Sequence, residues 1–226
     1  MVVKQSIKRK SFDSLSQFRL RMATLIYDRI FVFLIRDDDW QEKFFGSFTP
    51  SPGDRVLNLG PRCSLSALSF AHRHSGANVT AMDTNSKAVA KLQRRIVRKN
   101  LCNVTLIAAP DDKRLPLNAG SFDTVICMLG LHDRPPEGKI GLIKEIMRVL
   151  RRGGRLYVVD FDKPENPGEG GMLAFAQRIW GSAAVAPHVS GSWVGFLVKV
   201  GLAGVRRQSC HSIGIGRLSV VKARKR

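Results

Sequence analysis

The chain has 226 residues, of which 44% are hydrophobic and 24% charged, and its formal net charge is +19. These values suit one folded domain with a sizeable core and exclude a disordered chain, a collagen or a coiled coil as overall descriptions. The four cysteines form neither a C-x-x-C pair nor a cluster with histidine, so we expect no disulfide scaffold, no metal site and a reducing compartment.

The positive charge is concentrated at the two ends of the sequence. Residues 1–36 carry eight basic and two acidic side chains, and residues 199–226 carry eight basic and no acidic ones. Cationic ends of this kind attract polyanions, so anionic lipid headgroups or nucleic acid are the expected partners. A basic surface that serves only solubility is the alternative interpretation.

The first predicted element is a helix over residues 15–35, where apolar side chains recur at three- and four-residue spacing. Its apolar run, residues 23–35, includes Asp28 and Arg29 and has only 13 residues. A bilayer core of about 30 Å requires about 20 apolar residues, so this helix is not expected to cross a membrane. We expect a cytoplasmic protein that contacts an anionic membrane surface peripherally.

A second short helix is predicted over residues 38–48, and the proline- and glycine-containing segment 49–53 ends it. The sequence therefore predicts a basic N-terminal helical segment over residues 1–48. The domain proper is expected over residues 49–226, with a basic C-terminal end.

From this boundary onward, strand and helix patterns alternate. The predicted strands cover residues 55–59, 78–83, 104–109, 122–129 and 155–161, with strand-like runs near 204–210 and 216–223. The predicted helices cover residues 64–74, a segment after Asn85, residues 139–152 and 172–184, and a segment near 192–201. Such alternation is typical of parallel βαβ units. We therefore predict an α/β fold, a Rossmann-like doubly wound sheet of about seven strands, mostly parallel, with helices on both faces.

Ligands of such sheets bind beyond the carboxyl ends of the strands. Gly60 follows the first predicted strand, Asp83 ends the second, and Asp111 and Asp112 follow the third. A carboxylate at the end of the second strand suits a ribose diol, because it accepts hydrogen bonds from both hydroxyls, and Asp111 could receive an adenine amino group. The alternative for Asp83 is an ordinary turn residue.

Several motifs occur in an order that points to one family. They are Val56-Leu-Asn-Leu-Gly60, Val79-Thr-Ala-Met-Asp83, Asp111-Asp-Lys-Arg-Leu-Pro-Leu117, Gly120-Ser-Phe-Asp-Thr-Val125, Leu131-His132 and Ile146-Met-Arg-Val-Leu-Arg-Arg-Gly-Gly-Arg-Leu-Tyr-Val-Val-Asp160. Over roughly residues 22–162 the chain resembles the class I S-adenosylmethionine-dependent methyltransferases. The most similar branch contains the ubiquinone/menaquinone C-methyltransferases and the bacterial phospholipid N-methyltransferases. Tyr27-Asp28 resembles a pair that many of these carry in an N-terminal helix.

The resemblance implies S-adenosylmethionine as the cofactor and assigns residues to its site. The implied cofactor contacts are Asn58, Gly60, Arg62, Ser64, Asp83, Thr84, Asp111, Asp112, Met128 and Gly130. Tyr27 and His132 are assigned to the substrate pocket, with a structural histidine as the alternative for His132. The sulfonium is already activated, so no catalytic base is assigned.

The loop after the first strand departs from the family. The family usually has Asp-x-Gly-x-Gly-x-Gly there, whereas Asn58 replaces the aspartate, and Arg62 and Ser64 replace two glycines. A non-glycine residue at positive φ costs about 1 kcal/mol or more, so the loop is reshaped, binds the cofactor more weakly or has lost it. Arg62 could instead meet the cofactor carboxylate.

The segment after the fourth strand bears on the acceptor. It lacks the Asn/Asp-Pro-Pro-aromatic motif that holds a flipped base in enzymes that methylate base amino groups. We therefore expect a methyltransferase of a small or lipidic acceptor, phospholipid or quinone-like, with nucleic acid less favoured. The alternatives are an RNA methyltransferase and a catalytically degenerate binding protein. Residues 4–36 are expected to form an interfacial helix, and Lys139 and Lys144 a solvated helix face.

Overall fold

A computed structural model of the chain describes residues 22, 23, 25, 26, 29, 48, 50–60, 63–83, 86–109 and 114–226. The strands are β1 (Arg55–Leu59), β2 (Asn78–Asp83), β3 (Val104–Ala108), β4 (Phe122–Met128), β5 (Leu150–Phe161), β6 (Ala203–Ser212) and β7 (Arg217–Arg224). They form one sheet in the order β3-β2-β1-β4-β5-β7-β6. Strands β1 to β5 are parallel, and β7 runs antiparallel to both of its neighbours. The predicted Rossmann-like sheet is confirmed.

Helices cover both faces of this sheet. They are α1 (Cys63–Arg73), α2 (Ser86–Arg98), α3 (Pro136–Val149), α4 (Gly171–Trp180), α5 (Ser182–Val189) and α6 (Val194–Lys199), with a 3₁₀ turn at Pro167–Gly170. Apolar residues of α1, α2, α4 and α5 pack in one core layer, and those of α3 and α6 pack in the other. In α2, for example, Leu92 and Ile96 lie four residues apart and are both buried, because this spacing places them on one helix face.

Two predicted boundaries are wrong for a reason visible in the backbone. Strand β5 begins at Leu150, whereas residues 150–152 were expected to continue a helix that Gly153-Gly154 would end. Gly153 has φ +71° and lies inside β5, near the point where its pairing with β4 changes register. The two glycines therefore belong to a strand irregularity. The helix expected over residues 172–184 is divided by Gly181, at φ +85°.

The described residues near the N-terminus agree with the predicted helix over residues 15–35. Met22, Ala23, Leu25, Ile26 and Arg29 are helical. The predicted helix over 38–48 lies almost wholly outside the described residues, and the boundary between 48 and 49 stays a prediction. Among the residues that the structure describes, no helix is both long and apolar enough to span a membrane.

Candidate functional site

The turn after β1 touches the end of β4 so closely that it admits no side chain. Gly60 has φ +125°, and a Cβ atom there would lie 1.9 Å from the main-chain oxygen of Met128. Leu59 pairs with Cys127, so the two strands end side by side. Only glycine fits both the dihedral angle and the space. The main chains of two predicted site residues, Gly60 and Met128, are thus brought together, while the Met128 side chain is buried in the core.

Asp83 lies at the same edge of the sheet. Met82 of β2 pairs with Leu59 of β1, which places Asp83 level with Gly60 on the neighbouring strand, about 4.8 Å away in the sheet. The Asp83 residue is 6% exposed, and its main-chain oxygen accepts a hydrogen bond from the nitrogen of Ala109 at 3.1 Å. The predicted combination of a tight turn and an acidic strand end is therefore present at one place.

Asn58 connects β1 to the helix that follows it. It is fully buried, and its Nδ2 atom donates to the Ser66 hydroxyl of α1 at 3.1 Å. Its Oδ1 atom is buried and accepts no hydrogen bond from any residue that the structure describes. A buried acceptor without a donor is costly, so this oxygen favours a donor from outside the described set.

Five other predicted site residues lie outside the described part of the chain: Tyr27, Arg62, Thr84, Asp111 and Asp112. The backbone of Ser64 is in α1, but its side chain is not among those described. Their assignments stay predictions.

The turn after β4 has an unusual backbone. Leu129 is buried and has φ +56°, a left-handed conformation that costs a non-glycine residue about 1–3 kcal/mol. Its nitrogen donates to the oxygen of Val159 at 2.7 Å, which holds the conformation in place. At Gly130, a Cβ atom would lie 2.9 Å from the sulfur of Cys127. The tight turn needs Gly130, whereas nothing in the sequence signals the strain at Leu129.

His132 follows this turn and forms a buried ion pair. Its Nδ1 atom lies 2.9 Å from Oδ1 of Asp160, near the end of β5, and the two residues are 3% and 0% exposed. The other Asp160 oxygen accepts from the nitrogen of Leu131 at 2.8 Å. Asp160 thus fixes both the ring of His132 and the turn that carries it.

The pair shifts the pKa values of both of its members toward their charged forms. Burial opposes the charge on His132, yet the adjacent Asp160 carboxylate outweighs burial and raises the pKa of His132 above 6.5. Burial likewise opposes the charge on Asp160, but the positive His132 and several hydrogen bonds lower the pKa of Asp160 to about 2. Asp160 follows the apolar run of residues 156–159 near the end of β5, much as Asp83 follows the apolar residues of β2, and this shared pattern could have identified it from the sequence.

Lys139 was expected on a solvated helix face, and this prediction is wrong. It is fully buried, and its Nζ atom donates to the main-chain oxygens of Leu131, Arg134 and Ala184 at 2.6, 2.5 and 2.7 Å. The helix begins at Pro136, three residues earlier than predicted, so Lys139 lies in its first turns and points inward. Burial lowers the pKa of Lys139 to about 8. Lys139 joins the turn after β4 to α5, whereas Lys144 is exposed as expected.

His188 of α5 completes the buried group. Its Nδ1 atom lies 2.7 Å from the oxygen of Phe161, its ring stacks on Trp193 with centroids 5.2 Å apart, and it lies edge-on to His132 at 6.3 Å. Burial lowers the pKa of His188 to about 4, so it is neutral at pH 7. The sequence gave no signal of the contact with Phe161, because the two residues are 27 positions apart.

Comparisons with known proteins show which family and fold this chain resembles. Residues 56–154 match the family described as a methyltransferase domain. The demethylmenaquinone methyltransferase of Beutenbergia cavernae is 34% identical over 125 residues, which cover 55% of this chain and 48% of that protein. That of Lactobacillus johnsonii is 27% identical over 172 residues, with coverages of 74% and 69%. The chain thus spans about half the length of the first of these relatives.

A solved structure of PigF with SAH shares the fold. It superimposes with a TM-score of 0.65 at 16% sequence identity, covering 83% of this chain and 61% of PigF. The predicted resemblance to the class I methyltransferases, and to their quinone branch, is confirmed by these matches.

Proposed function

The chain carries a methyltransferase domain with the class I fold, and from this premise we propose that it is an S-adenosylmethionine-dependent methyltransferase. The observation that carries the proposal is the meeting of Gly60 and Asp83 at the carboxyl edge of β1 and β2. The glycine lets the cofactor approach the backbone, and the carboxylate holds the ribose hydroxyls.

The described residues fit such a cofactor. The turn at Gly60 has no side chain that would occupy the space beside β4. The buried Oδ1 atom of Asn58 has no donor among the described residues, and it suits a hydrogen bond from the loop or from the cofactor. In the family pattern an aspartate stands at this position, and the amide of Asn58 keeps one such acceptor oxygen.

The buried pair of His132 and Asp160 supports a rigid wall for the pocket that would hold the methyl acceptor. When bound, the cofactor supplies a methyl group on a positively charged sulfur, so that the protein has mainly to position the acceptor and exclude water. Asp160 orients His132, and Lys139 fixes the turn in front of it from the other side. We assign His132 to the wall of the acceptor pocket, as the sequence predicted.

We propose a small or lipidic acceptor, quinone-like or a phospholipid. The quinone alternative is supported by the demethylmenaquinone methyltransferases among the relatives. Two other functions are favoured by single observations. The departure of the loop sequence at Arg62 and Ser64 from the family pattern favours a degenerate binding protein. The exposed cations of α2, among them Lys91, Arg94 and Arg98, favour an RNA methyltransferase.

Contact with an anionic membrane is supported by the N-terminal helix. Met22, Leu25 and Ile26 are 42%, 53% and 49% exposed, so these apolar side chains do not fill the core of the domain. Together with the basic residues that precede them, they suit insertion at the interface of a bilayer.

Calorimetric titration with S-adenosylhomocysteine tests the cofactor site. Asp83→Ala removes two charge-assisted hydrogen bonds and is expected to weaken binding by roughly 2–3 kcal/mol, while the exposed Glu137→Ala should not change it. Equal affinity of all three proteins would reject the assignment of Asp83.

An assay of labelled methyl transfer then distinguishes the candidate acceptors. The full chain is incubated with a demethylated quinol, phosphatidylethanolamine or RNA, and the labelled product is identified. Transfer to RNA would contradict the proposed lipidic acceptor. Cofactor binding without transfer to any of the three would favour a catalytically degenerate binding protein.

Flotation with phosphatidylglycerol vesicles tests the membrane contact. Leu25→Ser/Ile26→Ser should reduce flotation at low salt, whereas the control Val97→Ser/Val198→Ser, which changes exposed valines elsewhere, should not. An equal loss in both double variants would exclude a specific role of the N-terminal helix.

A further inference from the structure

The edge of the sheet opposite the candidate cofactor site holds a groove, which we call the amino-edge groove. It has a volume of about 620 Å³ and is lined by Ser51, Asp54, Arg151, Gly153, Arg155, Gly204, Arg206, Lys222, Ala223 and Arg224. Five of these ten residues are basic and one is acidic. Arg155 lies five residues before Asp160 on β5, so the groove is about 17 Å from the carboxyl edge.

The cations of the groove share one face of the sheet. Arg155 pairs with Arg224 across β5 and β7, and Arg206 pairs with Lys222 across β6 and β7. Residues directly opposite each other in antiparallel strands point to the same side, and so do residues two apart on one strand. Four basic side chains therefore emerge from a small area of three adjacent strands.

Within the part of the chain that the structure describes, three of the groove's five cations have no carboxylate partner. Asp54 pairs with Arg155 at 2.8 Å, and Arg151 pairs with Asp123 outside the groove. Over the described ranges, Arg206, Lys222 and Arg224 form no ion pair with any carboxylate. Arg224 donates to the oxygen of Gly153 at 3.1 Å, and Lys222 lies 5.4 Å from the ring centroid of Tyr157.

Like charges placed directly opposite each other destabilise a sheet, and here two such pairs follow one another. A bound anion would remove that repulsion. Arginine forks match phosphate oxygens in a bidentate manner, and a volume of about 620 Å³ falls within the range of small-molecule sites. The groove therefore has both the charge and the size for a compact anion.

The lining also indicates what kind of anion fits. Apart from Ala223 and the glycines, every lining residue is polar or charged. None of the lining residues is aromatic, and Ala223 is the one aliphatic residue among them, so the lining favours a compact anion over an acyl chain or a nucleobase. A membrane seated on this edge would also turn the carboxyl edge away from the lipid. We propose that the amino-edge groove binds a soluble anion through a group of two or more linked phosphates.

Titration with inorganic tripolyphosphate tests this site in the full chain. The parent should bind it, with affinity that falls as salt rises, and Arg206→Gln/Lys222→Gln should reduce the affinity at least tenfold. The matched control is Lys91→Gln/Arg98→Gln, which removes the same charge from the exposed face of α2 and should bind like the parent. Arg224→Gln serves as a second, single variant, and circular dichroism verifies that each protein is folded.

Three results would overturn the proposal. One is the absence of tripolyphosphate binding by the parent at millimolar concentration. Another is an equal loss of affinity in the groove variant and the α2 control, which would show attraction by net charge alone. The third is binding of phosphatidylglycerol vesicles or single-stranded RNA, but not tripolyphosphate, that depends on Arg206 and Lys222. That result would assign the groove to a macromolecule.

Discussion

Charged side chains at the two edges of the sheet differ in their burial and in their partners. At the carboxyl edge, His132, Lys139 and Asp160 are buried, and each is held by a carboxylate, a main-chain oxygen or a main-chain nitrogen. At the amino edge, Arg206 and Arg224 are exposed, and no carboxylate among the described residues pairs with them. Buried charges with internal partners fix geometry, whereas exposed charges without partners are available to a ligand. The comparison predicts that substitutions cost much stability at the first edge and little at the second.

The largest effect is expected at Asp160. Asp160→Asn leaves the buried His132 without a counterion, and breaking a buried ion pair in this way costs about 3–5 kcal/mol of the free energy of unfolding. Urea unfolding measures it, with the exposed Glu137→Gln as the matched change of a carboxylate to an amide. A loss below about 1 kcal/mol would show that the carboxyl edge tolerates an unpaired charge, and the contrast between the edges would fail.

Lys139 provides the next comparison. Lys139→Met leaves three main-chain oxygens without their donor and is expected to cost about 2 kcal/mol, because the relief of burying a charge offsets part of the lost hydrogen bonds. Lys144→Met, on the exposed face of the same helix, should change stability by less than about 0.5 kcal/mol. Similar urea midpoints for the two variants would contradict the role of Lys139.

The pH dependence of the ion pair sharpens the comparison. The pKa of His132 in the folded protein lies above its unfolded value of 6.5, so its contribution to stability is complete below pH 6.5. The contribution is lost as the pH rises through the folded pKa. The stability difference between the parent and His132→Gln should therefore shrink from pH 6 to pH 9, as urea unfolding at each pH would show. A difference that grows with pH would mean that His132 is neutral in the folded protein.

The smallest effect is expected at the amino edge. Arg206→Thr removes a like-charge pair with Lys222, so the free protein should become more stable by about 0.2–1 kcal/mol at low ionic strength. The gain should disappear in high salt, because salt screens exposed charges. Thermal unfolding at two salt concentrations measures it. Destabilisation at low salt would mean that Arg206 makes a favourable contact in the free protein.

Much of the fold followed from local patterns, whereas the charged network did not. The bounds of β1 and β2 were predicted residue for residue, because short apolar runs ended by Gly60 and Asp83 are unambiguous. Asp160 and His132 are 28 residues apart, and their contact depends on β4 and β5 lying side by side. Lys139 was misassigned because the helix begins three residues earlier than its apolar spacing suggested. The contact between Asp160 and His132 was decided by pairing across the sheet, and the position of Lys139 by the start of its helix.

The insertion of β7 between β5 and β6 also has a consequence for the order of folding. Residue 155 of β5 pairs with residue 224, and residue 161 with residue 218, so this part of the sheet closes only through contacts between distant segments. Contacts of such long sequence separation slow folding, since the entropy of closing a long loop is lost before the pairing compensates for it. Strands β1 to β5 can assemble earlier, but β5 then presents an open edge until the β6–β7 hairpin docks. We expect this late docking step to limit the folding rate and to be the stage at which the chain is most prone to aggregate.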